Sequence, residues 1–272
     1  MARILALSSH VAFGSVGLTA IVPALQALGH EVVALPTVVL SNHPGYRSHA
    51  GEETAPAMLD RMFDSLEANG WLSGIDAVLT GYLPTPAHVE TARNAVERIR
   101  AENPALLYIC DPVFGDDPEG FYLEEETAAA IREHLLPLAD VATPNRLELS
   151  WLAGEPVEDP GSAVRAARAL EVPTVLATST PAGEHRLATL LVGRSLARAC
   201  YVDRHPAAPH GTGDLLAALY LGHSLNGADP EAGLARTVAA VAASIAASSG
   251  RDELPLTAAR WVQAQPLPMA SI

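Results

Sequence analysis

The chain has 272 residues, of which 49% are hydrophobic, and 31 Asp and Glu against 17 Lys and Arg give a formal net charge of −14 at pH 7. A field of that sign repels nucleic acid and anionic membranes, so neither is an expected partner, and a bound nucleotide must be held by local dipoles and cations. The length and apolar content suffice for one large α/β domain, and we predict that residues 1–272 form a single domain.

Three features bear on the cellular location. The longest late apolar stretch, residues 238–247, is far shorter than the roughly 20 residues that span a bilayer. The apolar start at residues 4–7 is interrupted by His10 and Gly14 too early for a secretory signal. Cys110 and Cys200 lie in apolar runs, which is typical of small buried side chains in a reducing compartment. The sequence therefore predicts a cytoplasmic protein that is not bound to a membrane.

The first half of the chain alternates short apolar runs with longer amphipathic ones. The short runs predict strands at residues 4–7, 31–40 (as one or two strands), 77–80 and 106–110. The longer runs predict helices at residues 18–28, 56–66 and 86–99. Because strand and helix alternate, the strands are expected to lie parallel in one sheet.

The second half continues this alternation and then departs from it. It predicts helices at residues 124–135, after Asn145 and at 162–170, and strands near 141–143 and at 174–178. Between residues 187 and 202, two apolar runs flank the turn Gly193-Arg194-Ser195, which is typical of an antiparallel hairpin. The last helices are expected to start at Gly213, Pro230 and Leu256.

The most informative stretch is Pro209-His210-Gly211-Thr212-Gly213-Asp214, which is followed at once by an apolar run typical of a buried helix. Two glycines around Thr212 allow a tight turn with successive N–H groups pointing outward, and a helix start adds about half a positive charge. Such a loop can hold a phosphate group through its backbone alone.

Asp214 in this loop admits two interpretations. As a structural residue, it caps the helix that follows. As a catalytic residue, it lies beside a substrate hydroxyl and takes the proton that leaves as the hydroxyl oxygen attacks phosphorus. The loop alone does not decide between them.

Polar residues recur directly after the predicted strands. In an open parallel sheet, ligands bind at the carboxyl ends of the strands, so these positions form the candidate site. Each of them, taken singly, is more often a turn former, a solvated side chain or a satisfied histidine, but their shared position favours one common site. They are Ser9, His10, Gly81, Tyr82, Asp111, Thr143, Asn145, Glu148, Thr178, Ser179 and the loop at Gly211.

Two of these candidates are carboxylates that suit a hard cation. Asp111 and Glu148 would supply oxygen ligands, directly or through water, for a Mg²⁺ ion that carries nucleotide phosphates. The sequence therefore predicts Mg²⁺ with nucleotide phosphates at this edge of the sheet.

Six short segments occur in a fixed order between residues 9 and 214: Ser9-His10-Val11 with Gly14 and Gly17, Ser41-Asn42-His43, Gly81-Tyr82, Cys110-Asp111-Pro112-Val113, Thr143-Pro144-Asn145 with Glu148, and Gly211-Thr212-Gly213-Asp214. In this order they resemble the pyridoxal kinases of the ribokinase-like superfamily. The last segment is common to the superfamily, which includes many sugar kinases. The segments near the start, after the second strand and around Asp111 point to the pyridoxal branch.

The resemblance implies a ribokinase-like three-layer α/β/α sandwich, in which a central, mostly parallel sheet lies between helices on both faces. It implies a homodimer that phosphorylates the 5′-hydroxyl of pyridoxal, and of pyridoxine or pyridoxamine, with ATP in vitamin B6 salvage.

The resemblance also implies a role for each matching residue. Asp214 is the expected general base, and the amides of Gly211, Thr212 and Gly213 form the expected anion hole. The residues expected at the pyridoxal ring are Ser9, His43 and Tyr82, with Asp214. The residues expected at the nucleotide and its phosphates are Asp111, Asn145, Glu148, Thr178, Ser179 and Thr212. Mg²⁺ is expected near Asp111, Glu148 and Thr143, and a monovalent cation such as K⁺, or the nucleotide, near Thr143 and Thr178.

Three positions depart from the family pattern. Many relatives carry an aromatic residue where this chain has Leu40, threonine where it has Pro44, and valine where it has His210. The first two changes remove an aromatic contact with the ring and a hydroxyl partner. Together the three put the identity of the substrate in question more than the type of reaction.

Two alternatives stay open at this point. One is a kinase of the same superfamily that acts on hydroxymethylpyrimidine or a sugar, which Leu40 and Pro44 favour. The other is a catalytically silent protein that binds the vitamin, which the intact Asp214 and the full set of metal-site candidates disfavour. A Rossmann dehydrogenase is disfavoured most, because no GxGxxG turn follows the first strand.

Overall fold

A computed structural model describes residues 1–205, 208–248, 251–256 and 259–272 of the chain. Within those ranges, ten strands form one sheet and two more form a small separate hairpin. The strands of the sheet are β1 (Arg3–Val11), β2 (Glu31–Leu40), β3 (Gly51–Glu53), β4 (Ala77–Thr80), β5 (Leu107–Cys110), β8 (Val141–Ala142), β9 (Thr174–Pro181), β10 (Arg186–Gly193), β11 (Ala197–Asp203) and β12 (Ala270–Ser271). The hairpin consists of β6 (Gly115–Asp116) and β7 (Gly120–Phe121).

The strand order in the sheet is β12-β11-β10-β9-β8-β5-β4-β1-β2-β3. The six strands from β9 to β2 in this order run parallel, whereas β10, β11, β12 and β3 pair antiparallel with their neighbours. The chain moves outward from β1 in both directions, so the strand order reverses next to β1. The carboxyl ends of the six parallel strands meet at one edge, which is where open α/β sheets bind ligands.

Helices cover both faces of this sheet. They are α1 (Leu18–Ala27), α2 (Pro56–Ala68), α3 (Pro86–Glu102), α4 (Glu125–Ala130), α5 (Arg146–Ala153), α6 (Pro160–Ala169), α7 (Thr212–Leu225) and α8 (Pro230–Ala247). The strands supply both cores by alternation: Ile4 and Ala6 of β1 pack with α1, α7 and α8, whereas Leu5 and Leu7 pack with α2, α3 and α4 on the opposite face. Helices α5 and α6 pack on that opposite face against β9 and β10.

Local sequence explains where several helices begin. Proline occupies a first position of α2, α3, α6 and α8, where its missing N–H costs no hydrogen bond. Helix α6 begins at Pro160 and not at Ser162 as predicted, because Asp159 caps it and accepts a hydrogen bond of 2.7 Å from the Ser162 N–H.

The predicted layers, the parallel sheet and the hairpin at residues 187–202 are confirmed, since β10 and β11 pair antiparallel. The sequence does not predict β3, β6, β7 or β12, because two or three residues carry no alternation to detect. The predicted helix at 124–135 is confirmed in position, but its second half is one π-helical turn, Ile131–Leu135. For the helix predicted from Leu256, the structure has a 3₁₀ helix at Ala259–Gln263, and residues 257–258 lie outside the described ranges. No helix in the described ranges is long and apolar enough to cross a bilayer.

Candidate active site

Most of the polar residues predicted to share a site follow neighbouring strands of the sheet. Ser9 lies in β1 where its pairing with β2 slips by one residue. Gly81 directly follows β4, Asp111 follows β5 and Thr143 follows β8. Because these strands are parallel, the residues lie at the same edge.

Helix α7 starts at Thr212 with Gly211 as its N-cap residue, at φ 87° and ψ 5°. This left-handed conformation favours glycine, and a Cβ at residue 211 would lie 1.8 Å from the carbonyl oxygen of Ser15. Gly213 differs, because a Cβ there would have no atom within 4 Å apart from its two chain neighbours and the nearby backbone of its own helix. The expectation that both glycines serve the turn is therefore wrong: the turn needs glycine at 211, whereas Gly213 leaves open space beside the first turn of the helix.

The side chain of Asp214 does not cap α7. No side chain makes the N-terminal capping hydrogen bond of this helix, and Asp214 lies within its first turn. The backbone N–H of Gly17, just before α1, instead lies beside its carboxyl group. Burial raises the pKa of Asp214 to about 6, and the Gly17 N–H opposes that rise. The carboxyl group is therefore ionised at neutral pH and available as a proton acceptor.

The end of β4 packs closely on Asp214. A Cβ at Gly81 would lie 3.8 Å from Asp214 Oδ1 and 2.5 Å from Ser8 Oγ. The Ser8 hydroxyl also accepts a hydrogen bond of 3.2 Å from the backbone N–H of Tyr82. Glycine at position 81 therefore allows β1, β4 and the start of α7 to meet beside the Asp214 carboxyl group.

Asp111 and Thr143 form a second polar pair at this edge. The Thr143 hydroxyl donates a hydrogen bond of 2.6 Å to Asp111 Oδ1. Burial raises the pKa of Asp111 to about 7, the Thr143 hydrogen bond lowers it, and the negative charge of Asp214 raises it. The two carboxyl groups thus repel each other electrostatically when both are ionised.

Asn145 and Glu148 hold each other and a neighbouring loop. They form a capping box at the start of α5, in which each side chain accepts a hydrogen bond from the other residue's backbone N–H, at 2.9 and 3.0 Å. Glu148 Oε1 also accepts from the Phe114 N–H at 3.0 Å, and Asn145 Nδ2 donates to the Gly115 carbonyl at 2.7 Å. Burial and the charge of Asp111 raise the pKa of Glu148 well above its usual value.

Thr178 and Ser179 lie in an irregular part of β9. The pairing of β9 with β10 slips opposite these two residues, and Ser179 has a φ of 54°, which is rare for a residue with a side chain. The Thr178 N–H donates a hydrogen bond of 2.9 Å to the Pro144 carbonyl. This bond fixes Thr178 beside the segment that carries Thr143 and Asn145.

Three residues were predicted at the substrate ring. Ser9 packs on Gly17, since a Cβ at Gly17 would lie 2.2 Å from Ser9 Oγ. Tyr82 is half-buried after β4. The ring of His43 stacks on that of His210, with 3.8 Å between centroids and 23° between planes. Ser9 thus lies beside Gly17, Tyr82 follows the Gly81 that approaches Asp214, and His43 is in contact with the residue that precedes Gly211.

Tyr122 was not among the predicted site residues. It follows β7, and its N–H donates a hydrogen bond of 3.0 Å to the Phe114 carbonyl. Tyr122 is 48% exposed, and its pKa is raised first by the loss of water around its hydroxyl and then by the negative charges of residues that include Glu148, Asp111 and Asp214. Tyr122 therefore lies within electrostatic range of the same carboxyl groups, although nothing in the local sequence pattern indicates it.

The structure combines a mostly parallel sheet, a helix that starts at its carboxyl edge and a carboxylate in the first turn of that helix. This combination is typical of small-molecule kinases with a ribokinase-like fold. The sequence model of phosphomethylpyrimidine kinases matches residues 12–256. The chain belongs to this family.

Curated relatives narrow the comparison. The chain is 39% identical to the pyridoxal kinase PdxY of Rubrobacter xylanophilus, over 95% of this chain and 92% of that protein. It is 37% identical to the pyridoxal kinase PdxY of Corynebacterium diphtheriae, over 88% and 87%. It is 36% identical to a pyridoxine/pyridoxal/pyridoxamine kinase of Bordetella pertussis, over 87% and 85%. The predicted resemblance to pyridoxal kinases is confirmed.

Solved structures agree in fold. Pyridoxal kinase from Leishmania donovani in complex with ADP and pyridoxamine matches with a TM-score of 0.94 and 31% identity, over 99% of both chains. A putative phosphomethylpyrimidine kinase from Bacteroides thetaiotaomicron matches with a TM-score of 0.91 and 26% identity, over 100% of this chain and 98% of that chain. The predicted ribokinase-like sandwich is confirmed, and the protein is an enzyme of the kinase class.

Proposed function

We propose that this enzyme transfers the γ-phosphoryl group of ATP to the 5′-hydroxyl of pyridoxal, and of pyridoxine or pyridoxamine, in vitamin B6 salvage. The curated relatives named as pyridoxal kinases support the reaction. The structural observation that carries the proposal is the state of Asp214. Its carboxylate does not cap the helix, lies beside the Gly17 amide and has a pKa of about 6.

In this proposal Asp214 is the general base. Its carboxylate takes the proton of the substrate hydroxyl while that oxygen attacks the γ-phosphorus and the bond to the β,γ-bridging oxygen breaks. A pKa of about 6 leaves the group ionised at pH 7 to 8 but still basic enough to accept a proton. The Gly17 N–H lies beside this carboxylate and favours its ionised form.

The start of α7 is the proposed anion hole. The amides of Gly211, Thr212 and Gly213 would donate to the transferring phosphoryl group, where the helix dipole adds about half a positive charge. The basic residues of the chain are all arginine, so no lysine is present to meet that charge. Charge neutralisation therefore rests on backbone amides, on arginine and on bound cations.

The donor set at the strand ends fits Mg²⁺. Asp111 and Glu148 bring carboxylate oxygens and Thr143 a hydroxyl oxygen, which are the ligand types this ion prefers, directly or through water. Mg²⁺ held by these residues would neutralise the negative charge of the nucleotide phosphates. In our proposal Thr143 orients Asp111 through its 2.6 Å hydrogen bond. Asn145, Thr178 and Ser179 would contact the nucleotide, with K⁺ near Thr143 and Thr178.

The substrate ring would bind between the β1 and β4 strand ends and the loop after β2. Ser9 and Tyr82 come from the first two segments and His43 from the third. This arrangement would present the 5′-hydroxyl to Asp214, which Gly81 approaches closely.

A hydroxymethylpyrimidine is the second candidate substrate. The matching family model and the structure from Bacteroides thetaiotaomicron both carry the name of a phosphomethylpyrimidine kinase. Leu40, Pro44 and His210 also depart from the pyridoxal pattern at the proposed ring site.

We also propose that the enzyme is a cytoplasmic homodimer that binds neither nucleic acid nor membranes. The family resemblance supports the dimer, and the net charge of −14 supports the other two expectations. Light scattering on the purified protein measures the oligomeric state directly.

The test is a substrate panel. Purified protein is incubated with MgATP and, separately, with pyridoxal, pyridoxine, pyridoxamine and hydroxymethylpyrimidine, and each phosphorylated product is identified by mass. The proposal predicts product from at least one B6 vitamer, with the highest kcat/KM for pyridoxal. Turnover of the pyrimidine alcohol alone would replace the proposed substrate and keep the mechanism.

A further inference from the structure

The segment after α8, residues 251–256, returns to the loops around the proposed substrate site. The Glu253 carboxylate joins two of these loops: Oε2 accepts a hydrogen bond of 2.9 Å from the Ser15 N–H, and Oε1 accepts one of 2.7 Å from the Tyr46 hydroxyl. Ser15 lies 238 residues away in the chain and Tyr46 lies 207 residues away. One side chain thus connects the β1–α1 loop with the β2–β3 loop.

Further contacts tighten this connection. The Ser15 hydroxyl donates a hydrogen bond of 2.9 Å to the Leu254 carbonyl. A Cβ at Gly14 would lie 2.6 Å from Glu253 Oε2, so the carboxylate lies directly against the loop backbone. The backbone of Glu253 also forms an isolated parallel bridge with His210. A third loop, the one before α7, is therefore attached to the same residue.

Each of the three loops carries a residue of the proposed active site. The first leads to Gly17, whose N–H lies beside Asp214, the proposed general base. The second carries His43, three residues before Tyr46, and the third carries His210 directly before Gly211.

The stacked rings of His43 and His210 close the arrangement between the second and third loops. The Gly45 N–H donates a hydrogen bond of 3.1 Å to His43 Nδ1, which fixes the ring from its own loop. Glu253 acts on the same ring, since its charge raises the pKa of His43 against the larger lowering by burial. The position of the ring pair thus depends on loops that Glu253 joins.

We propose that Glu253 is a positioning residue that holds these three loops in place. The binding of the phosphoryl acceptor then depends on Glu253, whereas the binding of ATP does not. The inference rests on the proposed function for the identity of the acceptor only. Glu253 acts through Ser15, Tyr46 and His210 and is not a catalytic residue.

Four variants test the connection that Glu253 makes between the loops. Glu253→Ala removes both side-chain hydrogen bonds, and Tyr46→Phe removes one of them. Glu253→Gln keeps both, because its amide oxygen can accept from the Ser15 N–H and its NH₂ group can donate to the Tyr46 oxygen. Asp252→Ala is the control, since Asp252 is an exposed carboxylate in the same segment.

Two measurements test this role of Glu253, and one of them needs no substrate. Hydrogen exchange of the ligand-free protein reports on residues 41–48, and steady-state kinetics give separate KM values for the acceptor and for ATP. We expect roughly tenfold faster exchange and a roughly tenfold higher acceptor KM in Glu253→Ala, the loss expected for about 1.4 kcal/mol of hydrogen bonding. A smaller change is expected in Tyr46→Phe, and values close to the wild type in Glu253→Gln and Asp252→Ala, with the KM for ATP unchanged throughout.

The results that would contradict the role of Glu253 differ from those that would contradict the proposed function. If the wild type phosphorylates no B6 vitamer, the proposed function fails. The exchange measurement alone then shows whether Glu253 holds the loops in place. Unchanged exchange at residues 41–48 in Glu253→Ala overturns the inference. So does a parallel rise of both KM values, or an equal effect of Asp252→Ala, because a general loss of structure would produce either.

Discussion

The hydroxyl of Thr143 donates a hydrogen bond of 2.6 Å to the carboxylate of Asp111, which is 8% exposed. One hydrogen bond does not compensate the loss of water around this carboxylate, and its pKa stays raised at about 7. The site therefore holds a carboxylate whose ionisation costs stability until a cation binds, an arrangement that suits a kinase binding its nucleotide with a metal ion.

This cost gives the first prediction, for Asp111→Asn in the metal-free protein. The folded pKa of about 7 lies above the unfolded value of 3.8, so wild-type stability falls as the pH rises between these values. Asn carries no such cost, and the variant should be more stable at pH 8, by about 2–4 kcal/mol, with a smaller gain at pH 5. Urea unfolding in EDTA at both pH values measures it.

The control for this prediction is Asp203→Asn, at an exposed aspartate at the end of β11. It should not show the same increase between pH 5 and pH 8. A stability gain of Asp111→Asn that is equal at both pH values would contradict a free-energy cost of ionising the buried Asp111 carboxyl group.

The second prediction contrasts the two glycines of the anion loop. Gly211→Ala should lower the stability by roughly 1–3 kcal/mol or more, because its φ of 87° and the 1.8 Å approach to Ser15 leave no room for a methyl group. Gly213→Ala should keep or raise the stability, because the added methyl would have open space and alanine favours a helix. Thermal unfolding of both variants checks this.

The effect of Gly213→Ala on turnover is a separate part of this prediction. Gly213→Ala should reduce kcat/KM although the fold is intact, because the methyl group would occupy space beside the amides that are proposed to bind the phosphoryl group. Wild-type kinetics in Gly213→Ala would contradict a phosphoryl group bound close to this backbone.

The third prediction concerns the departures from the family pattern. If pyridoxal is the substrate, Leu40→Phe with Pro44→Thr should lower its KM, since an aromatic contact and a hydroxyl partner each contribute about 0.5–1.5 kcal/mol. The KM for ATP in the same variant is the internal control. An unchanged or higher KM for pyridoxal would mean that this pocket recognises the ring in another way, and His210 would be the next residue to change.

Sequence reasoning predicted the fold, and the edge of the sheet at which the candidate residues gather, because both depend on local signals. Alternation along the chain predicts the order of strands and helices, and the end of a parallel strand predicts the edge at which Asp111 and Thr143 lie. Tyr122 was missed because the short β6–β7 hairpin that precedes it has no periodicity. The connection of Glu253 with Tyr46 was missed because 207 residues separate them in the chain.

The loop sequence by itself left the role of Asp214 undecided, and only the family resemblance made it the expected general base. A carboxylate in the first turn of a helix is a common cap, and only the structure places the Asp214 carboxyl group beside the Gly17 N–H of another element. The sequence also does not distinguish Gly211 from Gly213, because the difference lies in the distance to Ser15.

The most direct test of the account is the turnover of Asp214→Asn, with Asp229→Asn as the matched control. Asp229 caps α8, accepting a hydrogen bond of 2.9 Å from the Ala232 N–H, and Asn is nearly as good in that role. The account predicts that kcat of Asp214→Asn falls by roughly 10²–10⁴, because an amide cannot take the hydroxyl proton, while the melting temperature and the affinity for ATP hold or increase. Asp229→Asn should keep wild-type kcat. Full turnover in a folded Asp214→Asn protein would contradict the proposed mechanism.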